Sequence, residues 1–249
     1  MNVLILGGTT EASALARAVA HDHRFRAMLS LAGRTSSPAP QPIPIHIGGF
    51  GGIDGLVGFL RDQEIDALVD ATHPFAAQMT SHALAAARAT GTQLLAIHRP
   101  AWAPQQGDRW HPVPDMEHAA AALGTAARRV MLTVGQQDLA PFIAAPQHHY
   151  LIRSIDKPDT LPPYASVITA RGPFAERDER SLLETHRIEM LVTKNAGGTA
   201  TRAKLDAART LGIEVVIVSR PPLPEGLDHV PDAPAAHRWL EAQAALRGE

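Results

Sequence analysis

Asn2-Val3-Leu4-Ile5-Leu6-Gly7-Gly8-Thr9-Thr10-Glu11-Ala12 is the stretch that decides the fold. An apolar run stops at two glycines. A helical period then starts, with Ala12, Leu15, Ala16 and Val19 at i, i+3, i+4 and i+7. The pattern reads as a buried strand, a tight turn and a helix. The helix N-terminus then aims its free N–H groups and the positive end of its dipole at the turn, which suits a phosphate. Gly7, Gly8, Thr9, Thr10 and Glu11 are therefore candidate cofactor-binding residues. Thr9 or Thr10 would cap the helix or give a hydroxyl to a pyrophosphate. The spacing departs from G-x-G-x-x-G, since the third glycine position is not glycine, so a purely structural turn stands as the other reading.

Working outward, residues 25–31 read as a second strand ending at Ala32-Gly33-Arg34-Thr35. In a doubly wound sheet this position meets the adenosine ribose, and Arg34 would favour a 2′-phosphate. Residues 43–47 read as a short strand followed by Gly48-Gly49-Phe50-Gly51-Gly52. Gly49, Phe50 and Gly51 are candidates for close ligand approach; Phe50 would lie against a ligand ring or tuck into the core. A strand over 65–70 then runs into Asp70-Ala71-Thr72-His73-Pro74, opening a helix through about Ala89. Thr72 or His73 would sit near its N-cap, with Pro74 in the first turn. Asp70, Thr72, His73 and Pro74 join the cofactor candidates, because this loop lies near the nicotinamide in such sheets. His73 would bond the carboxamide, donate a proton, or only cap.

Residues 101–114 carry prolines and no period, and read as a linker. The expected domains are thus 1–112 and 113–249, with a terminal helix over 235–246 packing back on the first. The second half repeats strand, glycine turn, helix. Its strand ends offer Gly135, Gln137, Arg171, Gly172, Lys194, Asn195, Gly197, Gly198, Thr201 and Arg220, with Thr201 opening a helix. Cations, amides and helix N-termini recurring at four strand ends suit a polyanionic ligand. The fold class is α/β: two mostly parallel sheets flanked by helices.

Composition bounds the rest. The chain has 249 residues, a formal charge of −2 and no Cys, which excludes disulfides, thiolate chemistry and Cys-based metal sites. The charge argues against a nucleic-acid or anionic-membrane partner. No apolar run is long enough for a membrane span, and the start is already strand, so cytoplasm is the expected compartment. No metal site is expected: the histidines are scattered, and His148 and His149 would point to opposite faces of a strand.

The stretches Ile5-Leu6-Gly7-Gly8-Thr9-Thr10-Glu11, Gly48 to Gly52, Asp70-Ala71-Thr72-His73-Pro74-Phe75-Ala76, Arg171-Gly172-Pro173-Phe174, Thr193-Lys194-Asn195-Ala196-Gly197-Gly198 and Arg220-Pro221 together resemble the precorrin-6A reductase family of cobalamin biosynthesis. The resemblance implies two Rossmann-like domains with the substrate in a cleft between them. It implies NADPH as cofactor and reduction of one macrocycle double bond (C18–C19) to give precorrin-6B. Arg171, Lys194 and Arg220 would hold the acetate and propionate carboxylates of the tetrapyrrole substrate. His73, Tyr150 and Lys194 are conceivable proton donors. A monomer, or a chain that hands substrate to neighbouring pathway enzymes, is expected. Rival readings are a cobalt-precorrin-6A reductase using NADH, a non-catalytic nucleotide- or tetrapyrrole-binding module, and an unrelated NADP-dependent reductase.

Overall fold

The structure, a computed structural model, describes residues 1–33 and 38–248. The first elements are β1 (Asn2–Leu6), α1 (Thr10–Val19), β2 (Arg26–Leu31), β3 (Ile45–Ile47), α2 (Ile53–Asp62), β4 (Ala67–Asp70), α3 (Ala77–Thr90) and β5 (Gln93–Ile97). Next come β6 (Trp110–Val113), α4 (Met116–Ala122), β7 (Arg129–Thr133), a 3-10 turn over Gln136–Asp138, α5 (Ala140–Ile143), β8 (His149–Ser154) and β9 (Ala165–Thr169). The chain finishes with α6 (Glu176–Thr185), β10 (Met190–Lys194), α7 (Ala203–Leu211), β11 (Glu214–Val218), β12 (His229–Val230) and α8 (Ala233–Leu246).

Two compact units result: Met1–Pro100 with Pro221–Glu249, and Ala101–Arg220. Each holds a six-stranded sheet, ordered β12-β5-β4-β1-β2-β3 in unit 1 and β6-β11-β10-β7-β8-β9 in unit 2. The strand pairs are parallel in both. Both orders follow the doubly wound 3-2-1-4-5-6 scheme, and so are Rossmann-like. The sixth strand enters from a different part of the chain in each unit. In unit 2 it is β6, which precedes the other strands; in unit 1 it is β12, reached only after the chain has completed unit 2.

Alternation along β1 shows why these residues make a buried sheet. Val3 and Ile5 pack with Leu15, Ala16 and Val19 of α1 and with Ala236 and Leu240 of α8. Leu4 and Leu6 pack on the other face with Leu56 and Leu60 of α2 and Ala83 and Ala86 of α3. A strand covered on both faces has no polar side, hence the continuous apolar run. Each such large side chain contributes about 1.5–3 kcal/mol by burial. In unit 2, Met131, Leu151, Leu191, Val215 and Ile217 share one core with Leu183, Leu205 and Ala208 of the helices.

Several sequence expectations are corrected. The 101–114 linker contains strand β6, in register with β11 from Val215↔Trp110 to Val218↔Val113. Pro112 disguises it; at a sheet edge the missing N–H costs nothing. A single boundary at 112/113 is accordingly replaced by crossings after Pro100 and after Arg220. The third helix starts at Ala77, with Ala76 at the N-cap and no side-chain cap, so Thr72, His73 and Pro74 lie before it. The reason is local: Asp70 Oδ1 accepts from both Thr72 N (3.0 Å) and Thr72 Oγ1 (2.6 Å), a side-chain turn that competes with helix. Gln137 sits in a 3-10 turn, and α7 begins at Ala203, leaving Thr201 in the turn before it.

Candidate active site

Ligands of open α/β sheets sit beyond the carboxyl ends of the strands, where strand order reverses. In unit 1 that point lies between β1 and β4. Gly7 lets helix and sheet approach: a Cβ there would come within 2.6 Å of Leu29 Cδ1 and 3.3 Å of Ala12 Cβ. Gly8 adopts φ 107°, and a Cβ there would meet nothing within 4 Å, so its backbone faces open space. Gly48, Gly49, Gly51 and Gly52 are likewise open. Thr9 is the N-cap of α1. Its hydroxyl accepts from Ala12 N (3.1 Å) and donates to Ala71 O (2.7 Å). Of the roles expected for Thr9 or Thr10, Thr9 thus takes the cap, and its proton ties the glycine turn to the end of β4. The Thr10 hydroxyl donates to Glu11 Oε2 at 3.0 Å.

The loop after β4 is anchored by Asp70, 4% exposed. Its second oxygen accepts from Thr80 Oγ1 at 2.6 Å. With both oxygens engaged inside the protein, Asp70 shapes the loop from below. His73 Nδ1 accepts from Phe75 N at 3.3 Å, which in the neutral ring leaves the proton on Nε2. His73, Thr72 and Pro74 line a small pocket with His98 and Leu223. Phe50 stacks on His46 (5.1 Å between centroids) and meets Phe59 edge-on (5.0 Å), so its ring belongs to an aromatic cluster against the core. Gly55 carries that arrangement, because a Cβ there would lie 1.6 Å from Phe50 O. Arg34 falls outside the described residues.

Arg99 is not among the sequence candidates, yet it reaches one of them. It follows β5, and its Nη1 lies 2.6 Å from Glu11 Oε2 in a pair whose side chains are 13% and 18% exposed. Burial lowers its pKa, and Glu11 opposes that shift. An arginine after an apolar strand was visible in the sequence, but not its reach to the first turn of α1, 88 positions away.

In unit 2 the reversal lies between β7 and β10. There Lys194 Nζ is 2.7 Å from Asp138 Oδ2, which also accepts from Gly135 N at 3.1 Å. Gly197 and Gly198 turn the chain at φ 68° and 76°. The Asn195 amide turns onto Trp102: its Oδ1 accepts from Trp102 N (2.8 Å) and its Nδ2 donates to Trp102 O (3.0 Å). Arg220 Nε donates to Asn195 O at 3.2 Å, so the β10 and β11 ends are joined. Gln137 and Arg171 are exposed. Gly172 allows its loop to touch the next, since a Cβ there would lie 3.0 Å from Ala200 O.

Among the described residues one cluster of three His, Asp or Glu side chains falls within metal-ligating range, Asp22 with His237 and Glu241. Arg24 already bridges its acids, 2.6 Å from Asp22 and 2.9 Å from Glu241. The Arg24 hydrogen bond holds the Asp22 carboxyl down to about 2. Among the described residues no helix is long and apolar enough to cross a membrane.

Comparison with known proteins fits this geometry. The family described as precorrin-6x reductase CbiJ/CobK matches residues 2–241. A precorrin-6A reductase of Sinorhizobium sp. is 53% identical over 221 residues, covering 88% of this chain and 84% of that one. One from Rhodococcus erythropolis is 48% identical over 239 residues, 96% of each chain. A solved structure titled CobK precorrin-6A reductase superposes with a TM-score of 0.92 at 47% identity, covering 98% of this chain and 97% of that one. A match of this extent, on two doubly wound sheets with glycine turns at their reversal points, makes the chain a member of the precorrin-6x reductase family.

Proposed function

We propose that this protein reduces precorrin-6A to precorrin-6B with NADPH. The nicotinamide supplies a hydride to one carbon of a macrocycle C=C bond when bound, and the neighbouring carbon takes a proton. The observation carrying the reading is the open Gly8 backbone at the N-terminus of α1, beside the sheet's reversal point, in a chain of this family. A dinucleotide fits there: phosphate would meet the N-terminus of α1, and the open glycines after β3 leave room for the rest.

The chain's own residues have three tasks on this reading. The loop fixed by Asp70 and Thr80 presents Thr72, His73 and Pro74 toward the cofactor's reactive end. Arg99 offsets the Glu11 carboxylate so that an anion is tolerated at the helix start. In unit 2, Arg171, Lys194 and Arg220 meet the carboxylates of the tetrapyrrole, with Lys194 oriented by Asp138. Orientation and exclusion of water are then the main contributions to rate. No one side chain is indispensable as proton donor: His73 presents Nε2–H and Lys194 an ammonium, and water or a substrate carboxyl can serve as well.

Arg34 is proposed as the reader of the 2′-phosphate. The test is a titration of NADPH against NADH with wild type and Arg34→Ala. Tighter NADPH binding that Arg34→Ala abolishes supports the cofactor assignment. Equal binding of both dinucleotides refutes the preference, and no binding of either refutes the dinucleotide site. Parallel turnover of cobalt-precorrin-6A with NADH would favour the cobalt-dependent branch.

A further inference from the structure

Unit 2 contains three buried charges that the proposed chemistry does not use. Arg153 on β8, Glu179 on α6 and Lys204 on α7 are 7%, 2% and 4% exposed. Such groups are rarely internal, and apolar replacements often give an equally or more stable core. Arg153 Nη1 pairs directly with Glu179 Oε1. Glu179 Oε2 is buried with no hydrogen-bond partner among the described residues. Lys204 Nζ donates to Thr201 O at 2.9 Å and lies 5.1 Å from the Trp102 ring centroid.

Two of the three charges reach a loop that carries candidate substrate residues, and Glu179 braces one of them. The Arg153 guanidinium lies 3.9 Å from the ring centroid of Phe174, in the Arg171-Gly172-Pro173-Phe174 loop. That loop is tied to the next by Phe174 N donating to Ala200 O at 3.3 Å. Lys204 secures the second loop at Thr201. Trp102, beside Lys204, secures it again: Nε1 donates to Gly198 O at 2.7 Å, and its backbone is held by Asn195. A continuous path therefore runs Glu179–Arg153–Phe174–Ala200–Thr201–Lys204–Trp102–Gly198.

We propose that Arg153, Glu179 and Lys204 are positioning residues, a buried charged layer that sets the spacing of the 171–174 and 195–201 loops for a substrate bearing several carboxylates. The inference rests on the reading of unit 2 as the substrate-binding unit. Burial, and secondarily the Arg153 charge, pull the Lys204 ammonium down to about 7, with Glu179 opposing. Holding these charges inside thus costs the fold stability, as at sites where geometry takes precedence over packing.

The test is steady-state kinetics of the full-length protein with precorrin-6A and NADPH, for wild type, Arg153→Met, Arg153→Lys, Lys204→Met and Phe174→Leu. Phe174→Leu removes only the ring beneath the guanidinium and keeps the ion pair, which guards against loss of folding in the charge variants. The expected result is a KM for precorrin-6A raised about tenfold, with kcat and the KM for NADPH within about twofold. Arg153→Lys, which keeps the charge opposite Glu179 but loses the flat stack, should fall between wild type and Arg153→Met. Folded variants with an unchanged precorrin-6A KM, or losses shared equally by both substrates, overturn the inference alone. Wild-type protein that leaves precorrin-6A unreduced overturns the functional reading and this inference with it.

Discussion

Replacing Lys204 by Met should make stability less dependent on pH, in a window that the structure defines. Methionine keeps the length of the aliphatic stem and removes the charge. The folded-state pKa of Lys204 is lowered from 10.5 to about 7, chiefly by burial. Above 10.5 the amine is neutral in both states and there is no penalty. As pH falls toward 7, the unfolded chain gains a proton that the folded chain does not, so stability drops by at most about 1.4 kcal/mol per unit. Below 7 both states are charged and the penalty is constant. Wild-type stability should therefore rise by about 2 kcal/mol between pH 7 and pH 9, relative to Lys204→Met. For a chain of this size that is about 4–8 °C in Tm. The variant forfeits the bond to Thr201 O, worth about 1 kcal/mol at both pH values, so the differential survives that loss. Urea unfolding at the two pH values, followed by tryptophan fluorescence, reads it directly, since Trp102 and Trp110 both lie in unit 2. A gap between wild type and variant that stays constant from pH 7 to 9 would refute the argument.

Three further outcomes follow from named contacts. Arg99→Met strips the partner from a poorly exposed Glu11 carboxylate beside the proposed phosphate site, so the NADPH Kd should rise about tenfold or more; Arg99→Met/Glu11→Gln should recover part of it, measured by fluorescence titration. Gly55→Ala must push the Phe50 carbonyl away from a 1.6 Å overlap, costing about 2–4 kcal/mol in urea unfolding; a fully stable variant would show that the Gly48–Gly52 loop is not packed as described. His73→Asn keeps an acceptor for Phe75 N but removes the ring proton, and kcat should fall by less than about a thousandfold; a greater loss with both substrates still bound would make His73 the indispensable acid.

How far the sequence could be read depended on the range of each interaction. The apolar run of β1 and the period of α1 are local and sufficient, so strand, glycine turn and helix were legible in order. Places where a side chain overrides the backbone pattern were not. Asp70 captures Thr72 and delays α3 to Ala77, although the residues between read as a helix start. Two of the edge strands were the other blind spot. Trp110–Val113 and His229–Val230 are short, and their partners β11 and β5 lie far along the chain, so no local periodicity marks them. Glycines and cations at strand ends could be located from the sequence because the doubly wound topology places those ends on one side of each sheet. The assignments of Thr9, Phe50 and Asn195 depended on where a hydroxyl, a ring or an amide turns, and each turns inward to its own unit. Arg99 and Lys204 were overlooked for the same reason: one sits at a strand end and the other inside a helix, and their partners appear only in three dimensions.

On the proposed function, this chain transfers a hydride from NADPH to precorrin-6A. The most direct measurement is anaerobic incubation of the full-length protein with precorrin-6A and NADPH, following NADPH oxidation and product mass together. The expected outcome is one NADPH consumed per macrocycle and a gain of two hydrogens in the product. Tight binding of both molecules with neither oxidation nor a mass change would contradict it and leave a binding module instead.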